Sequence, residues 1–326
     1  MKKYSYPSLL SRSSGYLLGL LSASTFGMIP LFTLPLMASG IPAQTALVYR
    51  FGGASIILGL ALWLKGENFA LPSAALLKLA LLSFFYMLDV ILLFYAFSFV
   101  SSGVAATLEF LCPVTVILIM TLFYGEKFSP RAGLATGLAL AGVALLSASP
   151  DIDPALDATA ARLPAPPFGS PRLWGVLLAL FSGFANALYL VGLQVARLPK
   201  MSDLLLTFYI MAFGSFFCFL NAGATSSLVW IADLRGVCMG FGLALVTAVI
   251  SNATLIMAIR RIGSTIASIL GVMEPLTAVV VGMAIFGEAC SSRIICGITI
   301  ALAAAVIVVL VPEKNSRSAR RSGQSA

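Results

Sequence analysis

The chain has 326 residues, 60% of them hydrophobic and only 10% charged, with a mean hydropathy of +1.03. Soluble domains carry about 25% charged residues, so this composition excludes a water-facing surface and predicts an integral membrane protein. The absence of His removes Ser-His-Asp and Cys-His catalysis, His-ligated zinc and H-E-x-x-H proteolysis, and neither a metal nor a cofactor is expected. The formal charge of +8 sits in short loops and at the two ends, as in a membrane protein with basic cytoplasmic loops, and forms no stripe that would bind nucleic acid. Cys112, Cys218, Cys238, Cys290 and Cys296 show no C-x-x-C spacing, so buried thiols are expected rather than disulfides or metal ligands.

Taken in chain order, long apolar runs bounded by Gly, Pro and charge predict ten transmembrane helices, at about 15–36, 43–64, 75–99, 103–124, 130–149, 173–196, 203–222, 236–258, 265–286 and 291–311. The first run follows a basic N-terminal stretch, as a signal peptide would. It is too long for an h-region and contains Pro30 and Pro35, so it is read as a retained helix. Residues 150–172, rich in Pro, Ala and Asp, read as a flexible linker. Residues 312–326 read as a basic disordered tail.

The two halves, 1–149 and 173–311, repeat one another. Gly15, Leu17, Leu18, Leu20 and Ser22 recur as Gly175, Leu177, Leu178, Leu180 and Ser182 at an offset of 160. At an offset of 162, Pro113, Thr115, Gly125, Glu126 and Arg131 recur as Pro275, Thr277, Gly287, Glu288 and Arg293. Apolar composition produces chance Leu and Ala matches but not paired Pro, Gly-Glu and Arg, so the chain reads as a duplication. Five helices per half make the second half inverted. With both termini cytoplasmic, fifteen Lys and Arg fall inside and four outside (Arg162, Arg172, Arg235, Arg293), while Arg50 lies within a span. That bias sets the expected orientation and leaves the linker outside.

An all-helical integral membrane protein of two inverted five-helix repeats, with Pro in the fourth and ninth spans and Gly-Glu at their ends, resembles the drug/metabolite transporter superfamily, in particular its EamA-type members. The resemblance covers about residues 15–311. It implies a secondary active transporter of a small organic metabolite in the cell inner membrane, working by alternating access around a cavity between the halves. The Glu-Pro pair frequent in that family is present as Glu274-Pro275, whereas the first half has Cys112-Pro113 and places Glu109 one turn earlier.

Ionisable side chains inside a bilayer are costly and usually mark a site or a buried pair. Four fall in the predicted spans: Arg50, Asp89, Glu109 and Glu274. Arg50 could grip a carboxylate or phosphate as a bidentate fork, or simply pair with Asp89 or Glu109. An arginine with three acids suits a zwitterion such as an amino acid, with protons as a possible coupling ion. Asn186, Gln194 and Asn252 fit either interhelical hydrogen bonds or ligand contact. Pro30, Pro35, Pro113 and Pro275 are candidate helix breaks, which at a repeat interface point to a transport site. Phe26, Phe32, Tyr49, Phe94 and Tyr95 could line a cavity or pack. A membrane enzyme acting on lipid or peptide, and a non-transporting scaffold, are the alternatives; the first lacks any visible nucleophile and base, and the second does not need four buried charges. The oligomeric state does not follow from the sequence.

Overall fold

The computed structural model of the chain describes residues 9–96, 99, 108–127, 129–147, 171–285 and 292–310. Residues 150–170 of the expected linker, the tail, Gly287-Glu288 and Cys290 lie outside them, as do the side chains of Phe94 and Arg293, while the last two residues assigned to the linker, Pro171 and Arg172, already begin a helix. All regular structure among the described residues is helical. The helices are α1 (Leu9–Phe26), α2 (Ile29–Ala38), α3 (Ala43–Leu64), α4 (Ser73–Ala96), α5 (Cys112–Tyr124) and α6 (Pro130–Ser147) in the first half. The second half has α7 (Pro171–Val195), α8 (Asp203–Ala224), α9 (Leu234–Ala244), a π turn (Leu245–Ile250), α10 (Ser251–Ile262), α11 (Ser264–Leu270), α12 (Met273–Ile285) and α13 (Ser292–Leu310).

Seven of the helical stretches are long and apolar enough to cross a membrane, and Cys112–Tyr124, Pro130–Leu145 and Ile295–Ile307 are shorter apolar helices. Several expected single spans are interrupted. The first divides at Gly27-Met28, the fourth at Phe110-Leu111 and the ninth at Gly271-Val272. At each break a proline falls in the first turn of the segment that follows: Pro30 is the second residue of α2, Pro113 the second of α5 and Pro275 the third of α12. There the missing N–H costs nothing, because the first N–H groups of a helix have no intrahelical partner. Pro35 lies inside α2, which continues to Ala38.

Helix ends carry the duplication into the fold. After α3, Gly66 adopts φ +68°, and after α8, Ser226 adopts φ +51°. The C-terminal bonds Gly66 N–H to Trp63 O and Glu67 N–H to Leu62 O recur in the second half as Ser226 N–H to Gly223 O and Ser227 N–H to Ala222 O. Only Gly66 is free of a Cβ in this left-handed conformation. Gly125 closes α5 in the same way at φ +66°.

The halves interlock with the same two-fold logic. Helix α4 packs on α7, and its counterpart α10 packs on α1; α5 meets α7 as α12 meets α1. The remaining main pairings, α3 with α8 and α6 with α13, join each helix to its own repeat copy. Small residues drive these approaches, as expected where lipid offers no hydrophobic gain from association. Ala135, Ala139 and Val143 of α6 are fully buried, as are Ala301 and Ala304 of α13. Large apolar side chains such as Trp63, Leu122, Phe123 and Phe181 are exposed, forming the surface for acyl chains. Cys112 and Cys218 are buried, but Cys238 and Cys296 are exposed, a correction to the expectation of uniformly buried thiols: a lipid-facing helix surface accepts a weakly polar thiol as readily as a core does.

At the α6–α13 contact, a Cβ on Gly142 would lie 2.8 Å from Ala301 N and 2.9 Å from Gly297 O. These are backbone atoms that cannot rotate away. Gly142→Val should force the two helices apart and cost about 1–3 kcal/mol, read as a lowered midpoint of thermal unfolding in detergent.

Candidate functional site

The two halves meet around Arg50. It is a large side chain with 1% exposure on α3. Its Nη2 donates to Thr247 O at 2.9 Å and, at 3.4 Å, to the Tyr86 hydroxyl of α4. The Thr247 carbonyl lies in the π turn, whose wider i→i+5 pattern disturbs the normal ladder and frees main-chain oxygens. Aromatic faces enclose the rest of the guanidinium, with Phe26 at 4.8 Å and Phe51 at 5.6 Å from Cζ, an arrangement favourable to a cation. Nε and Nη1 are buried with no protein partner. Among the described residues the only ion pair is Arg260 with Asp203, so the direct pairing of Arg50 with Asp89 or Glu109 that the sequence allows is not formed.

Two of the acids, Asp89 and Glu274, nevertheless lie within electrostatic reach of it, and Glu109 within reach of those two. Asp89 and Glu109 are 2% and 8% exposed, and Glu274 is half-buried in the first turn of α12. Arg50 acts electrostatically on Asp89 and Glu274, and Glu109 feels the charges of both other acids. Were all four groups ionised, the cluster would hold one positive and three negative charges in a region of low dielectric, where unbalanced charge is expensive. A bound cation or protons would balance it.

Each glutamate lies at a helix break against a glycine of the other half. A Cβ on Gly183 of α7 would stand 2.5 Å from Glu109 O, and one on Gly27, in the break between α1 and α2, would stand 2.3 Å from Glu274 O. The Glu109 platform is thus a one-turn-shifted copy of the Glu274 platform.

The polar neighbours include residues that sequence reasoning did not single out. Ser182 donates to Asp89 Oδ1 at 2.6 Å, and Tyr189 donates to Asn252 Oδ1 at 3.0 Å. Tyr86 and Tyr189 stack at 4.7 Å. Asn186 is half-buried on α7, one turn from Ser182 and close to Tyr189 on the helix face. The tyrosines and Thr247 carried no signal, because Tyr is common at membrane interfaces and nothing local announces a π turn. Ser182 did carry one, through its repeat match with Ser22. Gln194 instead caps α11, accepting from Ser264 N–H. Phe32 packs over Gly242, and Tyr49 receives the Ile231 N–H at 3.1 Å. Tyr95 is half-buried near the end of α4.

The repeat gives Asp89 a control. Asp89 and Ser182 correspond to Ser251 and Ser22, at offsets of 162 and 160. In that second pair each serine hydroxyl donates to the other's carbonyl, at 2.9 and 3.0 Å. The same crossing between the halves is therefore clasped without charge in one of its two copies and with a carboxylate in the other.

This fold and this buried charge cluster define a multi-pass helical membrane protein of the inverted-repeat transporter class. Residues 13–148 and 173–310 each match the EamA-like transporter family, and the chain belongs to that family. A solved crystal structure of a protein with which it shares 18% sequence identity superposes with a TM-score of 0.69, covering 95% of this chain and 99% of that one; the likeness is one of fold. Among curated proteins none matches the sequence. Membership places the protein in a lipid bilayer and makes a small molecule its substrate.

Asp89→Ser should rebuild the serine clasp of the equivalent crossing, so its melting temperature in detergent should not fall below the parent's. A loss of several degrees, about what 1–3 kcal/mol produces, would instead make the carboxylate a structural element.

Proposed function

We propose that the protein is a secondary active transporter that carries a small organic zwitterion, an amino acid or a similar solute, across the cytoplasmic membrane by alternating access. The observation that carries this reading is the Arg50 guanidinium, buried with two nitrogens lacking protein partners. A buried donor left unsatisfied costs about 1–3 kcal/mol, so such an arrangement is not kept for stability. A carboxylate of the solute would accept from Nη1 together with the adjacent Nη2 as a planar end-on fork, leaving Nε for a second polar group of the solute or a water. Asp89, Glu109 and Glu274 would balance the solute's ammonium group or exchange protons as the coupling ion. Asn186 and Asn252 would supply neutral hydrogen bonds, and the breaks near Pro30, Pro113 and Pro275 would let the halves rearrange around the site. Pro35, inside α2, adds a helix position without its usual N–H bond.

In this reading the solute emerges unmodified, both termini are cytoplasmic, and the linker around Asp157 lies outside. Screening the purified protein for ligands that raise its melting temperature by mass action, against amino acids, nucleosides and organic acids, identifies the solute for transport assays. Recovery of a chemically altered product from loaded vesicles would favour a membrane enzyme instead.

Two substitutions test the site. Glu274→Gln keeps shape and hydrogen bonding but removes the titration, so uptake into proteoliposomes should be lost or become insensitive to a pH gradient while the protein folds normally. Arg50→Lys keeps the charge but removes the fork, and should weaken solute affinity by about tenfold, or about 1.4 kcal/mol. Unchanged affinity, rate and pH dependence in both variants would make these residues structural.

Orientation is tested separately. Asp157→Cys, in a background where Cys112, Cys218, Cys238, Cys290 and Cys296 are replaced, should react with an impermeant maleimide added to whole cells. Labelling only after the cytoplasmic face is exposed would reverse the assignment.

A further inference from the structure

We infer that Tyr49 and Tyr209 are the two gate latches of the transport cycle, one at each end of the α3–α8 pair. The inference rests on the transporter reading but not on the identity of the solute.

The two tyrosines are repeat copies, related by the same offset as Gly15 and Gly175, and each is the seventh residue of its helix. Each binds the main chain of the loop that precedes the third span of the opposite half. The Tyr49 hydroxyl of α3 accepts the N–H of Ile231 at 3.1 Å. The Tyr209 hydroxyl of α8 donates to the carbonyl of Phe69. Phe69 and Ile231 are themselves repeat copies, related by the same offset as Pro113 and Pro275. The contact is therefore reproduced at both partners, with only donor and acceptor exchanged.

Position makes these contacts gates rather than ordinary clasps. Helices α3 and α8 pack along one another. Tyr49, near the start of α3, reaches the loop that follows the end of α8, while Tyr209, near the start of α8, reaches the loop that follows the end of α3. The pair is thus antiparallel, and the latches occupy opposite ends of helices 22 residues long, about 33 Å at 1.5 Å per residue. Both join one half to the other, so neither half can swing away at either end without breaking one of them. The end holding Tyr49 is further bridged by Thr45, which donates to Ser227 O and accepts from Val229 N–H at 3.2 Å. The end holding Tyr209 is bridged by Thr265 to Glu126 at 3.2 Å and by Arg261 to Ser14 at 3.0 Å.

Both latches are closed together here. A single hydrogen bond of each kind is weak enough to open within the cycle and directional enough to register closure. Tyr49 also precedes Arg50 in sequence, so a displacement of α3 on solute binding moves one latch directly.

Cys112 provides a reporter that needs no solute. It is 5% exposed at the start of α5, in the repeat position of Glu274, and feels the charges of Asp89, Glu109 and Glu274. With Cys218, Cys238, Cys290 and Cys296 replaced by Ala, Cys112 labelling by an impermeant maleimide is compared in right-side-out and inside-out vesicles. Tyr209→Phe should raise labelling from the face bearing Phe69, and Tyr49→Phe from the face bearing Ile231. Each rise should be about fivefold, the population shift matching about 1 kcal/mol for one hydrogen bond. Thr45→Val should act in the same direction as Tyr49→Phe.

Equal changes on both faces, no change in a folded variant, or failure of the Phe variants to fold would each overturn the latch assignment, the last because a gate contact is dispensable to the fold. Opposed labelling shifts in a protein that moves none of the zwitterions tested would instead keep the latches and overturn the solute assignment alone.

Discussion

Inside hydrocarbon every main-chain N–H and C=O needs a partner within the protein, and this constraint organises the interface between the two halves. The breaks at Gly27-Met28, Phe110-Leu111 and Gly271-Val272, together with the π turn at Leu245–Ile250, interrupt the helical ladder. Irregular backbone of this kind survives at membrane depth only where protein or a polar cavity covers it. The other half supplies the cover: Gly27 against the Glu274 carbonyl, Gly183 against the Glu109 carbonyl, and Arg50 on the Thr247 carbonyl. The charged cluster occupies the same region because the polar groups that tolerate broken helices also tolerate side-chain charge.

The scaffold obeys its two-fold repeat closely, and the site departs from it. Helix caps, tyrosine contacts and serine hydroxyls recur at the two offsets that relate the halves. None of the four charges of the site does. Arg50 corresponds to Ile210, Asp89 to Ser251, Glu109 to Gly271 and Glu274 to Cys112. A symmetric frame can tilt both ways with similar contacts, whereas the zwitterion proposed as solute would require a binding surface that distinguishes its two ends. Ser22 with Ser251 and Ser182 with Asp89 are the two copies of one crossing, neutral in the first and carrying a carboxylate in the second.

Much of the candidate site was legible because charge in an apolar run is conspicuous. Arg50, Asp89, Glu109 and Glu274 stand out against their neighbours by transfer cost alone, and the structure gathers them. Asn252 joins them through Tyr189, but Gln194, equally conspicuous, caps a helix elsewhere. An amide is cheap enough to serve either purpose, so its presence alone does not decide between them. The missing ion pair of Arg50 was likewise invisible, since it depends on side-chain distances of a few ångströms that composition does not encode.

The sequence by itself determined the helical membrane class, the duplication and the approximate helix ends, because each rests on a local quantity: transfer free energy, paired residues at a constant offset, or the Gly, Pro and charge that bound an apolar run. Only the tertiary structure decided that Pro30, Pro113 and Pro275 begin helices after a break, that a π turn presents Thr247 O to Arg50, and that Tyr49 and Tyr209 join the halves at opposite ends. Those features arise where two chain segments far apart in sequence compete for the same polar partner, and no window along the chain contains both competitors.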